Sequence, residues 1–302
     1  MLHDTSSNYP TKSGFVAVVG RPNAGKSTLL NWLVGEKLAM VSKKAQATRK
    51  RMNIIVMHEN AQIIFVDTPG IHEKERLLNQ FMLHEAIKAI GDCDLVLFLA
   101  PVKDRLDHYK KFLKLNAKNR PHIVVLTKLD EVSQEALLAK IAEYQAFQNR
   151  FLALIPISVT KGIGKDQLLD EITKHLSCSP WLYDPELLTT TNIREIYKEM
   201  IRESIFDNLS DEIPYETDVI IEKIDELAQL DRVQATIIAE KRSQKMIIVG
   251  KGGSTIKRIG RDARLKMEQF SGKKIFLELF VSVKSGWSKN KKSLSEIGYN
   301  FD

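Results

Sequence analysis

The chain has 302 residues, 43% hydrophobic and 27% charged, which is enough for two cores under a polar surface. No apolar run approaches the roughly 18 residues of a membrane span, and the polar start MLHDTSSNYPTKSG argues against a secretory signal. Two distant cysteines, Cys93 and Cys178, read as reduced thiols in a cytoplasmic protein, and a net charge of +7 points to a polyanionic partner.

In chain order, the first half alternates apolar runs with helical patterns. FVAVVG (15–20), QIIFVD (62–67), DLVLFLA (94–100), HIVVLT (122–127) and LALIPIS (152–158) are apolar without alternation, as in strands buried on both faces of a parallel sheet. Segments such as LLNQFMLHEAIKAI separate them. The βαβα order predicts a doubly wound, mostly parallel α/β domain over residues 1–178, with ligands at the carboxyl ends of the strands.

The conspicuous motifs begin at those ends. GRPNAGKST comprises Gly20, Arg21, Pro22, Asn23, Ala24, Gly25, Lys26, Ser27 and Thr28, and it matches a phosphate-binding loop between a strand and a helix. Gly20 and Gly25 let backbone N–H groups turn toward phosphate at a helix N-terminus. Lys26 supplies charge to the β and γ phosphates, and Ser27 offers a hydroxyl to Mg²⁺. DTPGI comprises Asp67, Thr68, Pro69, Gly70 and Ile71. Asp67 can hold Mg²⁺ through a water, and Gly70 can present its N–H to the γ phosphate. Between the two motifs runs the basic stretch KKAQATRKR (43–51), in which Thr48 can close on Mg²⁺ or remain an ordinary loop residue.

TKLD places Thr127, Lys128, Leu129 and Asp130 at a strand end. Asp130 can accept both N–H groups of the guanine N1/N2 edge, an edge that adenine lacks. A carboxylate left unpaired against the wrong base costs at least about 1–3 kcal/mol. Lys128 can lay its aliphatic stem along the base. Thr127 stands where an amide is usual; its hydroxyl keeps one donor and one acceptor but is shorter, so guanine selectivity is expected with weakened affinity. SVTKG brings Ser158, Val159 and Thr160 to the next strand end, where backbone N–H groups can meet the guanine O6; alone it would be a simple turn.

These motifs, in this order, resemble the translation-factor-related GTPases. The resemblance implies GTP and GDP as ligands with Mg²⁺ held by Ser27, Thr48 and Asp67. It also implies a catalytic role for Lys26, Thr48 and Gly70. Ile71 replaces the water-orienting Gln of the Ras type, which implies slow intrinsic hydrolysis. In the hydrophobic-substituted members an Asn at the place of Asn23 binds K⁺; without the resemblance Asn23 reads as a loop cap.

SCSPWLYDPELLTT (177–190) reads as a break, with the linker placed at 179–190. TNIREIYKEMIRESIFDNL follows as a helix capped by Thr191 or Asn192, then strands VIIEKIDEL and VQATIIAEK, then helix, glycine break, helix and a last strand KIFLELFVSV. Residues 181–240 hold 5 basic and 15 acidic side chains, and residues 241–302 hold 15 and 5, so a domain at 191–302 has an acidic and a basic side. Gly250, Lys251, Gly252 and Gly253 form a G-x-x-G loop through which a backbone can approach phosphates. Lys257, Arg258 and Arg261 project from the next helix, whose Ile256, Ile259, Ala263, Met267 and Phe270 share another face. Trp287, amid lysines, can stack on a base or cover the core edge.

This second half resembles an α+β type II KH domain, and the whole chain resembles the Era family of ribosome-assembly GTPases. That implies an RNA-binding switch acting on small-subunit ribosomal RNA at its 3′ region and on maturation of the small ribosomal subunit. It also implies a monomer, cytoplasmic, with peripheral association at the inner face of the cell membrane. Two other readings stay open. One is a constitutive KH RNA-binding protein with a degraded nucleotide domain, which Thr127 and Ile71 motivate. The other is a GTPase of tRNA modification, which the absence of a Cys-rich domain disfavours.

Overall fold

The computed structural model describes residues 10–40, 48–70, 77–210 and 212–299, and the chain divides into two compact units. Ile71 and residues 43–47 of the basic stretch lie outside the described residues.

The first unit comprises Met1–Glu36, Lys50–Ile71 and His84–Thr190. Its elements are β1 (Lys12–Val19), α1 (Lys26–Val34), β2 (Met52–His58), β3 (Ala61–Asp67), α2 (Leu77–Asp92, of which residues 84–92 belong here), β4 (Leu95–Pro101), α3 (Asp107–Leu115), β5 (His122–Thr127), α4 (Gln134–Gln145), β6 (Leu154–Pro156) and α5 (Lys165–His175). The sheet runs β2-β3-β1-β4-β5-β6 and is parallel except for β2. The apolar runs are the central strands: β3, β4 and β5 are buried at every position. Burial on both faces removes the polar alternation that marks a half-exposed strand.

The edge strand β2 is not among the predicted runs. Its sequence MNIIVMH follows directly on basic residues, and it reverses into β3 through a two-residue turn at Glu59 and Asn60, with Glu59 at φ +50°. Residues 179–190 are strapped to this edge. Gln62, fully buried, accepts from the Leu182 and Tyr183 amides at 2.8 and 2.9 Å, and Ile55 N donates to Leu188 O at 2.9 Å. The segment expected to be a linker is thus an element of the first unit.

The second unit comprises Lys37–Arg49, His72–Leu83 and Thr191–Asp302, so a single cut near residue 190 does not divide the chain. Two segments of the N-terminal half fold with the C-terminal half. Its elements are α6 (Ile193–Asn208), β7 (Thr217–Glu226), β8 (Leu230–Ala239), α7 (Arg242–Val249), α8 (Ser254–Ser271), β9 (Lys274–Val283) and α9 (Lys291–Glu296). Asn192 caps α6, accepting from Glu195 N at 3.0 Å. The sheet runs β7-β8-β9, antiparallel then parallel. One sheet face meets α6, α7 and α8 through Ile201, Ile237, Ile248, Ile259, Ala263 and Met267, all fully buried. A second cluster joins Leu78, Phe81 and Met82 to Ile238, Trp287, Leu294 and Tyr299.

Candidate functional site

The nucleotide motifs all lie in the first unit, at the carboxyl ends of β1, β3, β5 and β6, where the strand order reverses about β1. The loop after β1 curls through Asn23 at φ +59° and Gly25 at φ +99°, and Gly25 stands at the N-terminus of α1. A Cβ on Gly20 would lie 2.9 Å from Leu99 O, so only glycine fits there. Arg21 braces the loop from outside by a bidentate pair with Asp104 at 2.5 and 2.7 Å, which raises the guanidinium pKa.

Lys26 is 6% exposed, its Nζ donating to Gly20 O and Arg21 O at 3.4 and 3.3 Å. Burial pulls its pKa down to about 8 against the opposing pull of Asp67. A desolvated ammonium held by two weakly placed carbonyls is poised for a better anionic partner. Ser27 Oγ donates to Asp67 Oδ2 at 3.1 Å, so a hydroxyl and a nearly buried carboxylate face each other beside Lys26. These are hard oxygen donors suited to Mg²⁺. Thr68 donates to Val18 O at 2.7 Å and ties the turn to β1. A Cβ on Gly70 would lie 2.9 Å from Pro22 N, so the two phosphate-facing loops pack backbone to backbone. Thr48 folds instead with the segment Lys37–Arg49 of the second unit.

At the base-reading end Thr127, 5% exposed, donates from Oγ1 to Ala24 O at 3.0 Å. The hydroxyl therefore performs the tie to the phosphate loop that the missing amide would have made. Lys128 takes φ +65°, and Asp130 is exposed. Ser158, fully buried, donates to Asp130 Oδ1 at 2.6 Å and accepts from Lys161 N at 3.3 Å. This bond, with Thr160 assisting, holds the Asp130 pKa below its usual value, so the carboxylate is ionised and an acceptor at neutral pH. Ser158 N donates to Ile163 O at 3.1 Å, which removes it as the amide for O6 and leaves that role to Val159 or Thr160. The sequence pattern locates Ser158 but not its side-chain role. It also misses Asp104, because nothing in LAPVKDRLD marks a partner for Arg21.

In the second unit α7 and α8 flank the glycine loop. Gly250 has φ +75°, and a Cβ there would lie 2.8 Å from Thr255 N, so this glycine is required by the fold. Gly252 (φ +59°) and Gly253 (φ +79°) face open space or distant atoms, leaving the backbone accessible. Lys251, Lys257 and Arg261 are exposed. Arg258 is exposed too, but its Nε donates to Asn208 Oδ1 at 2.5 Å, tying it to the end of α6. Of the two readings of Trp287, the core one holds and the base-stacking one is corrected: it is fully buried, its Nε1 donates to Glu216 O at 3.2 Å, and Arg49 lies 5.8 Å over its ring. A side chain with no exposed face cannot stack on a base, and it belongs to the core.

The geometry agrees with what comparison finds. Residues 15–128 match the family model for a 50S ribosome-binding GTPase, and residues 212–288 match that of a KH domain. The chain is 52% identical over 294 residues to "GTPase Era" of Helicobacter pylori, covering 96% of this chain and 97% of the relative. It is 50% identical to "GTPase Era" of Campylobacter lari, covering 96% and 99%. A crystal structure of a point variant of Aquifex aeolicus Era bound to GDP·AlF4⁻ superposes with a TM-score of 0.92 at 32% identity, over 96% of this chain and 100% of that one. A structure of Era with MgGDPNP and nucleotides 1506–1542 of 16S ribosomal RNA has the same score, identity and coverage. A phosphate loop, a carboxylate clamp for guanine and a KH fold with an open glycine loop, shared along nearly the whole length of such relatives, place this chain in the Era family of GTPases.

Proposed function

We propose that this chain is a GTP-binding, slowly GTP-hydrolysing switch that binds the 3′ region of small-subunit ribosomal RNA and assists maturation of the small ribosomal subunit. The observation that carries the reading is the Ser158–Asp130 hydrogen bond of 2.6 Å, which fixes an ionised carboxylate beside an intact phosphate loop. A degraded nucleotide domain would have no reason to keep that clamp. Guanine binds by donating N1–H and N2–H to Asp130, while Lys128 covers the base. Lys26 and the amides of the loop around Gly25 neutralise the phosphates. Ser27 and Asp67 are the residues of the first unit that would hold Mg²⁺. When bound, the ion would neutralise negative charge on the phosphates. Asn23 is the proposed ligand of K⁺. The RNA strand runs along Lys251, Gly252, Gly253, Lys257 and Arg261.

The reading includes a monomer with peripheral association at the inner face of the membrane. Among the described residues no helix is long and apolar enough to cross one.

The test is a paired titration. The wild type should bind GTP in preference to ATP, and its affinity for the 3′-terminal RNA should differ between the GTP and GDP states. Asp130→Asn should exchange guanine for xanthine preference, because an amide presents a donor where xanthine presents a carbonyl. Preference for GTP unchanged in the mutant, or RNA affinity identical in both nucleotide states, would refute the switch.

A further inference from the structure

A cavity of about 500 Å³ opens in the first unit at the start of β5, so it faces the amino ends of the strands and the nucleotide motifs lie at their carboxyl ends. Arg120, Arg150, Asn116, Asn119, Asn149 and His122 line it, and no carboxylate does. The loop that carries Arg120 is rigidly held. Asn116 Nδ2 donates to Arg120 O and Arg120 N donates to Asn116 Oδ1, both at 2.9 Å. Tyr109 Oη and His122 Nε2 lie 2.9 Å apart, and His122 also bonds the Arg120 backbone.

Two guanidiniums are therefore set at a concave surface. Arg120 gives only Nη2 to Gly91 O, at 2.6 Å, and its Nε is buried without a partner. Among the described residues, the side chains of Arg150, Asn119 and Asn149 make no hydrogen bond or ion pair. The surrounding stretch 108–127 adds Lys110, Lys111, Lys114 and Lys118 and contains no Asp or Glu.

We infer that this cavity is a second ligand site, which takes a small phosphate monoester between Arg120 and Arg150 with the Asn119 and Asn149 amides on its ester side. One guanidinium held to Gly91 O and a second without a partner of its own match the two negative charges and the oxygen array of a phosphate group. The volume falls in the range of roughly 300–1,000 Å³ usual for small-molecule sites. An extended RNA backbone would favour a flat or convex basic surface over a walled pocket.

The experiment uses the full chain saturated with GDP and Mg²⁺, so that the phosphate loop is filled. Ribose 5-phosphate, inorganic phosphate and ribose are titrated while the His122 ring signals are followed by NMR. The His122 pKa is pulled down to about 4 by burial, with Arg150 adding to the effect, so a bound anion should raise it. Saturable shifts with ribose 5-phosphate, weaker ones with inorganic phosphate and none with ribose are expected. Arg150→Ala, at an exposed position without side-chain partners, should weaken binding at least about tenfold with GDP affinity and melting temperature unchanged. Arg120→Lys should weaken it as well while preserving the fold. Three results would each overturn the site: no saturation by about 10 mM, equal affinity in Arg150→Ala, or tighter binding of a single-stranded RNA oligonucleotide at the same signals.

Discussion

At the scale of single residues, Thr127 and Lys26 set the quality of the nucleotide site. Thr127 Oγ1 donates to Ala24 O at 3.0 Å inside a buried environment. Thr127→Val keeps the shape, removes the donor and strands the carbonyl. Nucleotide affinity should fall by about 1 kcal/mol, roughly fivefold in Kd, with guanine selectivity intact because Asp130 is untouched. Fluorescent GDP displacement by GTP and ATP would measure both; an unchanged Kd would mean that the loops hold their places without the bond. Lys26 gives a pH signature. Burial lowers its pKa to about 8, whereas phosphate contact favours the charged form and raises it again. Above that pKa, binding must take up a proton, so GDP affinity should decline with rising pH by up to about tenfold per unit. Calorimetry in buffers of different ionisation enthalpy would detect the uptake, and Lys26→Arg, which does not titrate there, should abolish it.

At the scale of elements, the glycine loop separates structural from accessible backbone. Gly250 is fixed by its approach to Thr255, while a Cβ at Gly252 would meet nothing within 4 Å. Substituting Lys251→Asp and Gly252→Asp together should leave the fold standing, apart from the modest cost of a non-glycine residue at φ +59°. RNA affinity should collapse, because two carboxylates then stand where phosphates approach. The slope of log affinity against log salt should also shrink, by about one for each phosphate no longer engaged. GTP affinity should stay constant, since Lys26, Ser27 and Asp130 are in the other unit. Retained RNA affinity would reduce the loop to a turn. The loop was legible in the sequence because glycine spacing and a basic, amphipathic successor coincide. The parallel strands were legible for a related reason: burial on two faces leaves an uninterrupted apolar run. β2 was not, because an edge strand next to lysines and arginines has no such run and owes its existence to pairing with β3. Trp287 was ambiguous, since a tryptophan among lysines looks the same whether it stacks on a base or plugs a core; only its full burial decides.

At the scale of the whole molecule, the division into units was the least legible feature, because it rests on pairings between residues far apart in sequence. Arg49 is fully buried and donates to Asp218 Oδ2 at 2.9 Å across 169 positions, and also to Thr217 O and Tyr215 O. Asp218 further meets Lys198 at 3.1 Å and the Tyr299 hydroxyl. Burial pushes the Asp218 carboxyl up, but Lys198, Arg49 and Arg202 together hold it well below the usual carboxylate range. Breaking such a buried pair from one side costs about 3–5 kcal/mol. Leu78, Phe81 and Met82 add apolar cover to Trp287, Ile238 and Leu294. A fragment of residues 191–302, the natural choice from the KH motif alone, lacks Arg49 and these three side chains. It should leave Asp218 with fewer counterions and open a face over Trp287. Trp287 is the sole tryptophan in that fragment, since the other two are Trp32 and Trp181, so its emission reports directly. We expect the fragment's spectrum to be red-shifted relative to a full-length chain carrying Trp32→Phe and Trp181→Phe. The fragment's urea midpoint should be lowered, and the single substitution Arg49→Met in that full-length background should move the midpoint in the same direction. A fragment with blue-shifted emission and the full-length midpoint would show that the C-terminal unit is complete without the two N-terminal segments.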